Sequence, residues 1–200
     1  MRSFDPVVIG RRECGAWVAY YRHRWAQVLA CAVGMVRAGF RMPWPRTLLG
    51  AFYVLRANQV WAPYPHNDPL RAQRLMCRFY ELVARTHGAV YDPAEASRLE
   101  LRWWRAHRER QRERPSDGDG QLVDALAALY GYVYGLPGES VRAAAQGRAD
   151  AMRISDSWVA AGCDPASPRL AEQRAALVRG YASLLAAVHH PSAGGDGARS

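Results

Sequence analysis

The sequence predicts an all-α protein: a single bundle-like helical domain of about seven helices over residues 1–190, followed by a disordered tail at 191–200. Three observations predict it. Proline follows Asp or Ser at Asp5-Pro6, Asp68-Pro69, Asp92-Pro93 and Ser167-Pro168, where proline fits the first helical position and the preceding oxygen can cap exposed amides. Gly88, Gly135 and Gly162 stand where glycine can close a helix in the left-handed conformation. Between these marks, apolar residues recur at steps of three and four, and no convincing alternating, strand-like run occurs.

The first helix opens at Asp5-Pro6 and carries Val18, Tyr21, Trp25, Val28, Ala32 and Met35 on one continuous stripe. The second is marked by Leu49, Phe52, Tyr53 and Val60. The third runs from Asp68-Pro69 through Leu75, Met76, Phe79, Leu82 and Val83 to Gly88. The fourth starts at Asp92-Pro93, with Glu95 spaced for a capping box, and continues through Ala96, Leu99 and Trp103. These four occupy 6–114, and Pro115 to Gly120 form a polar loop rich in glycine. Three helices fill 121–190: Leu122 to Leu136, Val141 to Val159, and one from Ser167-Pro168 through Leu177, Tyr181, Leu184 and Val188. No internal repeat is visible, which argues against a solenoid.

Composition narrows the class. The 200 residues are half hydrophobic and 22% charged, which excludes a disordered or collagen-like chain. All 27 basic side chains counted at pH 7 are arginine, and the net charge is +9. The surplus sits in residues 1–114, with 20 arginines against 9 acidic residues; between Glu13 and Asp68 there is no acid at all. Absence of lysine is equally consistent with a GC-rich genome, so basicity alone does not specify nucleic acid. Cys14, Cys31, Cys77 and Cys163 form no paired motif and read as small core residues. The N-terminus lacks a secretory pattern and no apolar run approaches the roughly 20 residues of a membrane helix, so a cytoplasmic protein with no membrane partner is expected.

Polar residues on apolar stripes mark where a site would be. Arg56 falls between Tyr53 and Val60, and Arg148 between Ala145 and Met152. A buried guanidinium needs a carboxylate, a carbonyl cluster or an anionic ligand. Asp150 and Asp156 on the same helix as Arg148, and Glu13 on the first, are the available acids. Glu13, Trp17, Tyr20 and Arg24 share a helical face and fit either a pocket wall or a core or homodimer interface. The connector after the second helix carries Asn58, Trp61, Tyr64, His66 and Asn67, more side-chain chemistry than a link requires. Two of these could equally plug the bundle end while Asn67 and Asp68 cap.

Templates for known chemistry fit poorly. Glu100 and His107 lie seven apart on one face, and Glu13 could join them as metal ligands, yet paired Glu-x-x-His motifs are absent. Phosphate-loop, dinucleotide and nucleophile-elbow glycine patterns do not occur. The run Arg108 to Arg114 alternates in sign and reads as a solvated helix end rather than a nucleic-acid surface. Ala16 to Tyr21, Trp61 to Pro69 and Ser155 to Val159 together resemble an uncharacterised family of helical proteins from high-GC bacteria, a resemblance that implies a helical fold but no activity. The leading expectation is a pocket lined by Arg, Trp and Tyr that takes a small anionic or amphipathic ligand. The alternatives are a metal-dependent helical enzyme using Glu13, Glu100 and His107, and a basic module for nucleic acid or protein, with no specific nucleic acid indicated.

Overall fold

The structure is a computed structural model that describes residues 3–112 and 119–190. Among these there are eight helices and no strand. Asp5 accepts from the amides of Val7 and Val8 at 2.8 and 3.2 Å and starts α1 (Pro6–Tyr21). The expected long first helix then breaks, and α2 spans Trp25–Phe40. His23 takes the left-handed conformation at φ 55°; its amide donates to Tyr20 and that of Arg24 to Ala19, closing α1 with the bond pattern usually built around glycine. This break turns the expected seven helices into eight.

The remaining starts and stops follow simple local chemistry. α3 covers Trp44–Trp61, and α4 covers Pro69–His87 with Asp68 accepting from the Arg71 amide at 2.9 Å. α5 is Pro93–Arg112, where Asp92 accepts from the Ala94 amide at 3.0 Å. Glu95 does not complete a capping box; its carboxylate is held by Arg98 at 2.6 Å instead. α6 (Asp119–Tyr134), α7 (Gly138–Ala160) and α8 (Arg169–His189) complete the set. Gly88, Gly135 and Gly162 all have positive φ, as their placement after helices predicts. Ser167 makes no cap bond at α8, whose start is flanked by Pro168. Residues 115–118 of the expected loop, and the whole expected tail at 191–200, lie outside the described residues. No helix among those described is long and apolar enough to cross a membrane.

Each helix packs on its neighbours in chain order, and α8 returns to α1, so the eight form a closed ring. α5 against α6 and α8 against α1 join the halves on either side of residues 113–118. The main core runs through the ring, from Phe4 and Ile9 past Met76, Phe79, Leu101 and Leu126 to Leu184. One expected stripe is corrected: Leu49 and Phe52 are exposed, with Trp44 and Leu48 beside them. The buried face of α3 is instead Thr47, Gly50, Ala51, Leu55, Ala57 and Trp61, because small residues let α3 sit close to its neighbours.

The tightest seam lies between α7 and α8. A Cβ on Gly147 would stand 2.7 Å from Gly180 Cα and 2.9 Å from its nitrogen, so backbone meets backbone there. Gly147→Ala is expected to lower stability by about 1–3 kcal/mol through overpacking, despite its better helix propensity. Gly120→Ala, with nothing within 4 Å of its Cβ, should show no such loss in the same denaturant titration.

Candidate functional site

The ring encloses a cavity of about 610 Å³ to which all eight helices contribute side chains. That lies within the range of small-molecule sites. Helical spacing on α5 builds one wall. Glu100, Trp104, Arg108 and Arg112 follow at intervals of four, as do Trp103, His107 and Gln111, so two adjacent ridges face the cavity. Met152, Ser155 and Arg148 of α7 line the same side. Apolar groups of α2, α3 and α4, including Met35, Val36, Val54, Met76 and Phe79, line the cavity as well.

Deep in the cavity, Arg148 finds its carboxylate in Glu13. Its Nη2 and Nε lie 2.6 and 3.0 Å from Glu13 Oε1, and its guanidinium covers the Trp103 ring at 4.5 Å. Tyr181 donates to the other Glu13 oxygen at 2.6 Å, and Tyr130 stands 3.5 Å from Arg148 Nη1. Burial opposes the Arg148 charge, but Glu13 and the two tyrosines outweigh it and hold the guanidinium firmly protonated. Burial pushes the Tyr130 hydroxyl up to about 12, with Arg148 opposing the shift and Glu13 adding to it. A second buried acid, Glu100, accepts from Tyr80 at 2.7 Å and from the Trp104 indole at 3.0 Å.

The mouth is different. Arg108 stacks on Trp61 at 4.1 Å and lies 5.4 Å from the Tyr64 ring, and its Nη2 donates to the Trp61 carbonyl at 2.8 Å. Its Nη1 is buried without a hydrogen-bond partner among the described residues. Burial lowers the affinity of this guanidinium for its proton, while Tyr20, Tyr21 and Tyr64 partly restore it. Arg112 caps the outer side, stacked on Tyr64 at 4.1 Å and donating to its hydroxyl. Beside this mouth a latch ties α1, α5 and α7 together: Asp156 accepts from His107 at 3.1 Å, Arg110 at 2.9 Å and Gln111 at 2.7 Å, and Gln111 also reaches the Tyr21 hydroxyl. Burial raises the Asp156 carboxyl pKa, but these donors, His107 foremost, bring it below its ordinary value.

No family model, curated protein or solved structure matches the chain. The cavity brings together Trp17, Tyr20, Asn58, Trp61, Tyr64 and Arg148 from the expected set. Asn58 is turned back on its own helix, donating to the Val54 carbonyl at 2.9 Å. Four expected residues do not line it. Arg24 is exposed at the break between α1 and α2, and His66 is exposed in the connector. Arg56 is half-buried and donates to Gln59 at 2.5 Å, so its demand for a partner is met within α3. Asp156 serves the latch rather than Arg148, and Asp150 is engaged by Gln146 at 3.1 Å.

Glu13, Glu100 and His107 all line the cavity, but Arg148 with Tyr181, Tyr80 with Trp104, and Asp156 hold them separately. Among the described residues no group of three or more His, Cys, Asp or Glu is placed to hold a metal ion. Among the cavity residues missed by sequence reasoning, with Trp103, Tyr130, Ser155 and Tyr181, is Arg108. It was expected at a solvated helix end, yet it lies four residues after Trp104, which itself lies four after the buried Glu100. That spacing was the available signal.

Proposed function

We propose that this protein binds a small amphipathic anion, with the anionic head at Arg108 and the apolar body in the cavity. The observation that carries this reading is the contrast between two arginines. Arg148 is neutralised by Glu13, whereas Arg108, whose guanidinium lies among Tyr20, Tyr21 and Tyr64, pairs with no carboxylate of the described residues, and its Nη1 is buried without a hydrogen-bond partner at the cavity. An anion there removes the cost of an uncompensated buried charge. Trp61 and Tyr64 supply flat surfaces that hold the guanidinium in place.

Stearate is a simple probe of this class. Purified wild-type protein is expected to bind it in a fluorescent-probe displacement titration. Arg108→Met should weaken it about ten- to a hundredfold, as expected for loss of a charge-assisted hydrogen bond. Arg102→Met, an exposed site on the same helix, should leave it unchanged. Absence of wild-type binding, or equal affinity in the Arg108 variant, would overturn the reading.

A further inference from the structure

Three of the six buried side-chain polar atoms without a partner among the described residues line this one cavity: Arg108 Nη1, Ser155 Oγ and Trp103 Nε1. Their order along the wall follows from pairs already fixed. Asp156 of α7 meets His107 and Gln111 of α5 at the mouth, and Arg148 meets Trp103 at depth. The two helices therefore run in the same direction along the cavity. Ser155, on the same face of α7 as Arg148 and Met152, directly precedes Asp156 and so stands near the level of the mouth, about two helical turns from Arg148. Arg108 and Ser155 therefore lie towards the mouth and Trp103 towards the floor.

Ser155 is 1% exposed and Trp103 is 8% exposed, so bulk water does not satisfy them. Leaving such groups unpaired is unfavourable, and a tryptophan indole can only donate. Apolar groups of α2, α3 and α4, Met35, Val36, Val54, Met76 and Phe79 among them, line the cavity as well. The cavity thus combines apolar surface with unpaired polar groups, and is not merely charged at its mouth. A plain alkyl chain would cover the apolar groups but leave Ser155 unsatisfied.

Resting on the binding reading above, we infer that the ligand is a single-chain carboxylic acid carrying a hydroxyl or carbonyl oxygen within its chain. The carboxylate sits at Arg108, and the chain oxygen is recognised by Ser155. The alkyl remainder lies against α2, α3 and α4.

The test compares stearate with a series of hydroxystearates in which the hydroxyl is stepped along the chain from the third carbon to the twelfth. One position is expected to bind about tenfold more tightly than stearate, the gain from pairing a buried group. Ser155→Ala should remove most of that advantage, read as the ratio of the two affinities within the same variant, whereas the exposed Arg102→Met should keep it. If no hydroxystearate surpasses stearate, or if the preference survives in Ser155→Ala, the inference is overturned and the Arg108 reading stands. If neither stearate nor any hydroxystearate binds, both fall.

Discussion

Glu13→Ala is expected to lower the free energy of unfolding by about 3–5 kcal/mol, because it strands the buried Arg148 guanidinium. Glu13 is fully buried and accepts from Arg148 at 2.6 Å and from Tyr181 at 2.6 Å, so its loss leaves two donors unsatisfied at once. Arg148→Met should cost a similar amount for the converse reason. The double change Glu13→Leu with Arg148→Met is expected to recover the part of the loss that comes from the unpaired charge, while the Tyr181 hydroxyl stays without its acceptor. Urea titrations of Glu13→Leu, Arg148→Met and the double variant form the cycle. Single variants within about 1 kcal/mol of wild type, the range of an exposed pair, would show that the pair is effectively solvated.

Trp158→Ala is expected to cost about 3–5 kcal/mol, the range for emptying a buried aromatic position. Trp158 is 0% exposed, and its indole donates to the Asp164 carbonyl at 2.7 Å across the turn that leads from α7 towards α8. Its own carbonyl accepts from the Cys163 amide, in a turn where Gly162 and Cys163 both have positive φ. One side chain thus closes the end of α7 and fixes the course of the following segment. Trp158→Phe should lose less, keeping most of the ring volume but not the bond to Asp164. An alanine variant as stable as wild type by the same titration would show that the turn holds itself.

The all-helical class was legible because its punctuation is local. Asp5 and Asp68 cap with their own carboxylates, and glycine takes positive φ at residues 88, 135 and 162. The break at His23 was not legible because a left-handed histidine leaves no compositional trace and the apolar spacing continues through it. Periodicity also misjudged α3: it detects apolar side chains but not neighbours, and at Gly50 and Ala51 the close approach is made by residues too small to register as hydrophobic. At the site, burial physics required a partner for Arg148 but could not choose among Glu13, Asp150 and Asp156, which is a matter of tertiary packing. Arg108 was hidden by the alternating charges around it, since exposure in such a run is decided by the one face that meets Trp61.

The closed ring explains why this chain has a hollow at all. Helix axes in contact lie about 9 Å apart, and eight of them closed on one another surround an interior wider than a pair of facing aliphatic side chains fills. A three- or four-membered bundle has no such middle. With eight members, the interior must be reached by long groups leaning inward or be left as space. Trp103, Trp104, Tyr130, Tyr181 and Arg148 are among the groups that lean inward. Closing eight helices on one another thus leaves an interior in which chemistry can be placed.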